Sequence, residues 1–308
     1  MNISRTLLSD AVLLIDKSAG MTSFDVIAVL RKIIGQRRIG HAGTLDKSAT
    51  GLLVVCTGRL TRLVHYLIEK DKEYTGTITL GITTDSDDRE GEILERRPID
   101  GISEQMIIDA VSSFQGEILQ RPPVYSALKI EGKRASDRTR RGEVLEMKER
   151  PVTIHRISVK EINLPVGEVI IDVKCSKGTY IRSLARDIGE KLGCGGYLSA
   201  LRRTRCGELS VDSALTLDDL RTVLESGETD RKFCVSGGEA LSQMTRIVLD
   251  RTGIEKVKNG ARFAPENIIF RGQNDTLRYA IDDEDKNLIA IADVDIDNWS
   301  INYLNVFN

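Results

Sequence analysis

Residues 40–53 place three glycines, one of the three histidines and a single acid, Asp46, directly before an apolar run. Glycines at this density suit positive φ angles or close approach of two backbone segments, so we predict a tight loop. The run at residues 52–55 that follows is typical of a buried strand. The fold must therefore carry Asp46 on a loop where the core meets a cleft.

An acid followed by Ser, Ala, Thr and Gly has a second interpretation. The same pattern is typical of a helix N-cap or an Asx-turn, in which the carboxylate accepts hydrogen bonds from backbone N–H groups. Local chemistry alone leaves both roles of Asp46 open, and the surrounding elements have to distinguish them.

Strand and helix patterns alternate through most of the chain. Apolar and polar side chains alternate at residues 72–82, 152–159 and 168–175, which predicts strands, and residues 12–16 predict another. An apolar stripe at residues 26–33 predicts an amphipathic helix. This mixture indicates a domain that contains both helices and strands.

The length of 308 residues is sufficient for one large domain and a small one. Residues 207–240 have no long apolar element after a helix at 215–224, so we place a boundary there. The predicted domains are residues 1–240 and residues 241–308. Short apolar runs separated by polar turns predict that the second domain is small and rich in β-strands.

A basic excursion interrupts the first domain at residues 121–150. Pro122 and Pro123 fix two φ angles and remove two donors, so an ordinary helix cannot run through them. Residues 133–141 have almost no apolar face. We predict an exposed, mobile segment that becomes ordered on a partner, with a solvated surface helix as the alternative.

Charge is distributed unevenly, although the net charge of −2 argues against a nucleic-acid-binding protein. Residues 25–72, 121–160 and 177–205 carry net charges of +5, +6 and +5, whereas residues 212–308 carry −7. One basic run is usually a solvated helix face. Three such regions beside glycine-rich loops favour a polyanionic partner.

Several classes of site are disfavoured by the sequence. The five cysteines are scattered without a C-x-x-C pair, and the three histidines lie far apart, so zinc sites and disulfide frameworks are not expected. Neither a Walker A loop nor G-x-G-x-x-G follows a strand. The apolar run at residues 11–15 is too short for a signal sequence or a membrane span, so we expect a cytoplasmic protein.

Two further side chains are placed to reach a cleft. Tyr74 lies on the inward face of the strand at 72–82. A helix is predicted from residue 181, and Arg182 and Arg186 share a face near its start that is separate from the apolar stripe.

Five motifs follow one another in a fixed order between residues 12 and 206. They are G-H-A-G-T-L-D at 40–46, K-E-Y at 72–74, P-P-V-Y-S-A-L-K at 122–129, K-G-T-Y-I-R at 177–182 and L-S-A-L-R-R at 198–203. Each motif is unspecific by itself, but the ordered set is highly specific. The chain resembles the TruB family of tRNA pseudouridine synthases.

The resemblance implies an α+β fold, with a pseudouridine synthase domain on a curved mixed or antiparallel sheet with flanking helices and a small, β-rich C-terminal PUA-like domain. It implies isomerisation of the uridine at standard position 55, in the T-loop of tRNA, without a cofactor or metal. The partner would be the T-arm stem-loop of tRNA, bound in part by the excursion at 121–150. We expect a monomer and no contact with a membrane.

The implied chemistry assigns roles to three residues. Isomerisation breaks the bond from ribose C1′ to uracil N1, turns the base over and joins C5 to C1′. Asp46 would attack C1′ or C6, or stabilise cationic character on the sugar, and Arg182 would stabilise and orient its carboxylate. Tyr74 would stack on the extruded base and assist removal of the C5 proton, unless it is simply a core tyrosine.

The remaining positions are expected to bind the substrate. By resemblance, His41 would hold the flipped nucleotide by its phosphate or sugar, and Tyr180 and Leu201 would line the uracil pocket, although Leu201 also fits a plain core residue. The predicted phosphate contacts are Lys17, Lys129, Lys177, Arg202 and Arg203.

Three features depart from the family pattern. Ser18 follows Lys17, and Lys47 follows Asp46, where the family usually has proline, so both positions gain backbone freedom beside the site. The tail is acidic, which is unexpected for a module that grips tRNA.

Two other functions fit the same basic regions. The chain could bind or fold tRNA without catalysis, or it could be the protein subunit of a guide-RNA particle that modifies ribosomal RNA. The presence of Asp46, Tyr74 and Arg182 together favours the isomerase.

Overall fold

The computed structural model describes residues 8–126, 128–130, 132–139, 141–226, 232–273 and 276–307, with the backbone alone at 129, 130, 133 and 134. Within these ranges the α-helices are α1 (Ser23–Ile34), α2 (Val64–Ile68), α3 (Glu104–Ser112), α4 (Ala135–Thr139), α5 (Ile181–Lys191), α6 (Leu217–Ser226), α7 (Gly237–Ala240) and α8 (Arg251–Lys258). Short 3-10 helices cover Gly58–Leu63, Leu164–Val166, Val211–Ser213 and Pro265–Asn267.

The strands of the first 240 residues are β1 (Val12–Lys17), β2 (Ile39–His41), β3 (Thr50–Thr57), β4 (Lys72–Leu80), β5 (Ile82–Thr84), β6 (Ile93–Arg96), β7 (Gly116–Gln120), β8 (Lys129–Ile130), β9 (Lys133–Arg134), β10 (Arg150–Asn163), β11 (Glu168–Cys175), β12 (Gly196–Cys206), β13 (Leu209–Ser210) and β14 (Cys234–Val235). Those of the C-terminal part are β15 (Arg246–Leu249), β16 (Ile268–Arg271), β17 (Arg278–Asp282), β18 (Leu288–Asp295) and β19 (Ser300–Val306).

A mixed sheet organises the first part of the chain. Its strand order is β14-β1-β3-β12-β4-β11-β10-β7, with β2 beside β3 and β13 beside β12. The pairing of β12 with β3 is parallel, and the other pairings in this sheet are antiparallel. The predicted α+β domain on a mixed sheet with flanking helices is confirmed.

Both faces of the sheet are covered at β1 and β3, which explains their continuous apolar sequences. Leu13 pairs with Val55, and these side chains face α1, where they pack near Leu30. Leu14 pairs with Val54 on the opposite face, near Leu63. The strand predicted at 52–55 is therefore the buried centre of β3.

Helix α1 has sequence signals for helix capping at both ends. Thr22 is the N-cap and forms a capping box with Asp25, while Gly35 ends the helix in the left-handed conformation at φ 75°. An N-cap of this kind contributes about 1 kcal/mol to stability. The helix start is thus held rigidly, which matters because it lies against the loop of Asp46.

A second core lies on the other half of the sheet. Strands β4, β10 and β11 pack there against α3 and α5 through buried aliphatic side chains. Helix α5 leads directly into β12, so the helix and the central strand are positioned together. Arg182 stands at the N-terminal end of this helix.

The basic excursion forms a short hairpin of β8 and β9 followed by α4. Ala135, inside the segment predicted to be exposed, is fully buried, so that segment does have a packed side. Residue 140 lies outside the described residues. The predicted ordering on a partner stays a prediction.

The C-terminal strands form a sheet of their own, in the order β16-β15-β17-β18-β19. The β-rich character expected of the tail is confirmed. Leu288 and Ile291 of this sheet join the cluster that contains Leu63, and Asn305 Nδ2 donates to Tyr66 Oη at 3.1 Å. The domain boundary at residue 240 stays a prediction.

None of the helices in the described ranges has the length and apolar character needed to cross a bilayer. In the same ranges, no group of three or more His, Cys, Asp or Glu side chains is arranged to hold a metal ion.

Candidate active site

The loop of Asp46 is brought to the centre of the sheet by the parallel pairing of β3 with β12. Arg203 of β12 pairs with Gly51 on one side and with Tyr74 of β4 on the other. Gly51 has a φ of 97°, and a Cβ there would lie 2.3 Å from the Arg203 carbonyl oxygen. Only glycine allows this approach, so the glycine positions the loop.

Asp46 and Arg182 form a two-point ion pair. The distance from Arg182 Nε to Asp46 Oδ2 is 3.1 Å, and the distance from Arg182 Nη2 to Asp46 Oδ1 is 3.4 Å. The Arg182 side chain is 7% exposed and that of Asp46 is 43% exposed. The carboxylate therefore remains reachable from the cleft while a buried guanidinium fixes its orientation.

The remaining donors of Arg182 are also satisfied. Nη1 donates to Asp88 Oδ2 at 3.1 Å and to the Ser86 carbonyl at 3.3 Å, and Nη2 donates to the Tyr125 carbonyl at 2.9 Å. Of the five N–H donors of a guanidinium, the four on Nη1 and Nη2 each have an acceptor here, and Nε makes the ion-pair contact with Asp46. Arg182 is thus fixed in one orientation before any substrate binds.

Asp88 belongs to the acidic turn at residues 85–92 and is not one of the predicted site residues. Its Oδ1 accepts from Ser86 Oγ at 2.6 Å and from the Glu90 amide at 3.0 Å. The neighbouring Asp87 pairs with Arg186 at 2.7 Å, and burial raises the pKa of Asp87 to about 6. The sequence signal from which the pairing role of Asp88 could have been predicted is a group of acidic residues in a chain with several basic regions.

Replacement of Asp88 by Asn is expected to lower both activity and stability. Asp88 is the second carboxylate that pairs with Arg182, and the substitution removes its charge from this buried pair. We therefore expect the free energy of unfolding to fall by about 3 kcal/mol and turnover to fall about 10-fold or more. Chemical denaturation and single-turnover kinetics measure the two effects. The exposed pair of Asp218 with Arg221 provides the control: Asp218→Asn should change neither. Full activity of Asp88→Asn would refute the positioning role.

A pocket of about 300 Å³ opens beside the ion pair. The predicted site residues that line it are Asp46, Tyr74, Lys177, Tyr180, Arg182, Leu201 and Arg203. This volume is at the lower end of the range for small-ligand sites and suits a single nucleoside. A larger cavity of about 750 Å³ lies beyond the acidic turn, and none of the predicted site residues lines it.

Tyr74 faces the guanidinium of Arg203 inside the pocket. Burial raises the pKa of the Tyr74 hydroxyl to about 12, and the charge of Arg203 opposes this only in part. Tyr74 is therefore a neutral phenol at pH 7, which leaves its ring available for stacking.

Tyr180 lies at the N-cap position of α5, where its backbone is held by Gln120. The Tyr180 amide donates to Gln120 Oε1 at 2.8 Å, and Gln120 Nε2 donates to the Tyr180 carbonyl at 3.1 Å. Burial raises the pKa of the Tyr180 hydroxyl. Leu201 lies on β12 in the same pocket wall.

The structure corrects the prediction for Lys17. This side chain is fully buried, and its ammonium donates to the carbonyls of Ser18, Met21 and Lys47 at 3.0, 2.7 and 3.3 Å. A phosphate cannot reach it there. Ser18 and Lys47 stand where the family usually has proline, and both positions were expected to have more backbone freedom. The hydrogen bonds from Lys17 to their carbonyls restrain both positions.

Arg203 is corrected in the same way. Its side chain is 2% exposed, and it donates to the Leu52 carbonyl at 2.7 Å and to the Gly43 carbonyl at 3.0 Å. The guanidinium holds the Asp46 loop against the sheet and contributes to the pocket wall, so it does not offer the predicted phosphate contact.

The other predicted contacts remain predictions. Arg202 forms a two-point pair with Asp16 at 3.0 and 2.7 Å, and Lys177 at the pocket rim pairs with Glu69; both are partly exposed. The side chain of Lys129 lies outside the described part of the chain.

His41 lies on β2, next to the loop but outside the pocket wall. Burial, and then the charge of Arg203, lower the pKa of His41, so the imidazole is neutral at pH 7. Any contact to a nucleotide would therefore use a hydrogen bond or packing rather than a positive charge.

Lys72 and Tyr125 are among the pocket residues that were not predicted. Lys72 is buried, its ammonium donates to the carbonyls of Ile68 and Lys70, and burial lowers its pKa. Tyr125 lines the pocket, and its hydroxyl lies 3.2 Å from Asp85 Oδ2. Both residues lie inside motifs named in the sequence analysis, and their place in those motifs is the signal from which a role in the pocket could have been predicted.

The chain matches two family models in succession. The model of the TruB family pseudouridylate synthase (N terminal domain) matches residues 31–181. The model of the tRNA pseudouridylate synthase B C-terminal domain matches residues 182–250. Together they span the pocket and all of its predicted catalytic residues.

Curated relatives agree with these matches. The chain is 51% identical over 219 residues to tRNA pseudouridine synthase B of Thermobifida fusca, covering 69% of this chain and 75% of the relative. It is 38% identical over 276 residues to tRNA pseudouridine synthase B of Clostridium tetani, covering 89% and 93%.

Solved structures show the same fold. One is a chain of an H/ACA RNP bound to a substrate RNA containing 2'-deoxyuridine, with a TM-score of 0.77 at 25% identity, over 99% of this chain and 87% of that one. Another, from a Cbf5-Nop10-Gar1 complex, has a TM-score of 0.73 at 27% identity, over 98% and 84%.

Proposed function

The chain belongs to the TruB family of pseudouridylate synthases, and from this premise we propose that it converts the T-loop uridine of tRNA to pseudouridine with Asp46 as the catalytic carboxylate. As a member of this family it is a tRNA pseudouridine synthase. The proposal adds the position of the uridine, the flipping of its base and the roles of individual residues.

The observation that carries the proposal is the Asp46–Arg182 pair in the wall of a nucleoside-sized pocket. A uridine stacked in a T-loop exposes neither C1′ nor C6 to a protein carboxylate. The nucleotide must leave its stack, at a cost of a few kcal/mol, and enter a pocket that compensates this cost. Tyr74 offers a neutral aromatic surface for the base beside the carboxylate.

The reaction is an isomerisation, so its atoms balance without another reactant. The C1′–N1 bond breaks, the base turns over, C5 bonds to C1′, and the proton on C5 leaves while N1 gains one. Asp46 either forms a covalent bond during this sequence or stabilises positive charge at the sugar; both roles need the same reachable carboxylate.

Tyr74 is suited to stacking in its resting state. With a pKa of about 12, its hydroxyl is protonated at pH 7 and can remove the C5 proton only if it passes its own proton on. Leu201 and Tyr180 complete the pocket around the base. Arg182 stays fixed by four hydrogen bonds and its ion-pair contact with Asp46, and it holds the carboxylate in place throughout.

The wider RNA surface belongs to the proposal as well. The excursion at residues 121–150, with its excess of basic residues, would contact the T-arm, and the sheet at 246–306 would serve as a PUA-like module. The module is anchored to the catalytic part by Arg62 Nη1, which donates to the Val306 carbonyl at 2.7 Å. Its acidic sequence argues against a grip based on phosphate contacts.

A guide-dependent activity is the second candidate, because the solved structures with a similar fold include a chain of an H/ACA particle. The purified chain, given only a T-arm stem-loop labelled with tritium at uracil C5, is expected to release the label as the C5–C1′ bond forms. A stem-loop with cytidine at the target position is the control and should release none. Release only after addition of a guide RNA, or no release at all, would refute the proposal.

A further inference from the structure

Phe24 is an exposed aromatic side chain beside the catalytic loop. It lies on the first turn of α1 and is 65% exposed, and among the described residues only Phe270 is a comparably exposed phenylalanine. A phenyl ring that is exposed to water contributes little to the stability of the fold, because little of its apolar surface is buried. Single exposed apolar residues are common, so its surroundings have to decide whether the ring has a role.

The helix turn that carries Phe24 is tied to the catalytic loop. The Ser23 hydroxyl donates to the Leu45 carbonyl at 3.2 Å and accepts from the Leu45 amide at 2.9 Å. Leu45 is the neighbour of Asp46, and both line the pocket. The capping box of Thr22 fixes the same turn. Phe24 is therefore displayed rigidly next to the catalytic loop.

A second ring adjoins Phe24, and the neighbouring catalytic loop carries a cation. The ring centroids of Phe24 and His41 are 6.3 Å apart with an interplanar angle of 84°, which is an edge-to-face contact, and Phe24 remains 65% exposed. Lys47 follows Asp46 in the catalytic loop, and after the hydrogen bonds with Thr22 its positive charge also lowers the pKa of Asp25, the residue that follows Phe24. A flat apolar surface beside a cation suits a nucleotide.

We infer that Phe24 is a stacking surface for the base next to the flipped uridine. This inference rests on the proposed function. When the uridine leaves the T-loop stack, its neighbour loses a stacking partner, and the ring of Phe24 replaces that partner at the edge of the pocket. Lys47 neutralises the phosphate between the two nucleotides. Stacking of this kind is independent of base identity and strengthens binding rather than chemistry.

Four variants test the inference on a T-arm stem-loop. Phe24→Ala is expected to raise the KM about 10-fold and to change kcat by less than about twofold, because the ring touches no reacting atom. Phe24→Leu, apolar but without a ring, should behave as Phe24→Ala does, and Phe24→Trp should retain the wild-type KM. Leu94→Ala, which removes a similarly exposed apolar side chain (67%) from β6, outside the proposed RNA surface, should have no effect.

A spectroscopic readout separates stacking from packing. The fluorescence of 2-aminopurine, placed on either side of the target uridine in separate stem-loops, should be quenched at one of the two positions by wild-type and Phe24→Trp proteins but not by Phe24→Ala. An unchanged KM for Phe24→Ala, recovery by Phe24→Leu, or equal quenching by all three proteins would overturn the inference. Inactive wild-type protein would instead refute the proposed function, and binding of the stem-loop would still report on Phe24.

Discussion

Asp46→Asn is expected to lower pseudouridine formation by at least about four orders of magnitude while T-arm binding stays within about twofold of wild type. The amide has the shape of the carboxylate but cannot attack carbon or balance a positive charge on the sugar. The pocket walls and the neutral Tyr74 ring remain, so the base still has its binding surface.

Stability should change little in the same variant. The Asp46 side chain is 43% exposed, and an ion pair of that exposure contributes less than about 1 kcal/mol to the free energy of unfolding. Single-turnover assays of tritium release and filter binding with the same stem-loop measure the two quantities side by side. Substantial residual turnover would contradict the catalytic role of Asp46. A loss of RNA binding as large as the loss of turnover would indicate that Asp46 has a structural role instead.

Arg182→Met is expected to have a second large effect, on turnover and stability together. The variant leaves Asp46 unoriented and the buried Asp88 carboxylate without its cation. We expect turnover to fall about 10³-fold and the free energy of unfolding to fall by about 3 to 5 kcal/mol. The corresponding decrease in Tm is about 10 °C. Arg182→Lys should recover little, because one ammonium cannot reach five acceptors.

Arg186→Met is the matched control for Arg182. Arg186 lies one turn further along α5 and pairs with Asp87 and Asp187, but it has no contact with Asp46. Its loss should also reduce stability, while the rate per folded molecule stays close to that of wild type at a temperature where both are folded. A rate loss as large as that of Arg182→Met would mean that the Asp46–Arg182 contact has no special role.

Local patterns predicted the elements of the fold because each depends on nearby residues. Thr22 and Gly35 mark the ends of α1, and the apolar run before Cys56 marks β3, since caps and burial on both faces leave direct traces in the sequence. The meeting of Asp46 and Arg182 depends instead on the parallel pairing of β3 with β12. Only the family resemblance anticipated it.

Charged residues were the main source of error. Lys17 and Arg203 look like phosphate ligands in a basic sequence, yet both are buried and donate to loop carbonyls. Asp88 was not predicted as a site residue, yet it completes the hydrogen bonding of Arg182. Sequence reports the charge of a side chain but not which backbone carbonyls or side chains surround it, and these partners decide its role.

Mass spectrometric mapping of pseudouridine in a full tRNA transcript incubated with the purified chain alone tests the central claim most directly. The account predicts one pseudouridine, at the T-loop uridine, with wild-type protein and none with Asp46→Asn. Pseudouridine at other positions only, or the same T-loop product from the Asp46→Asn protein, would contradict it.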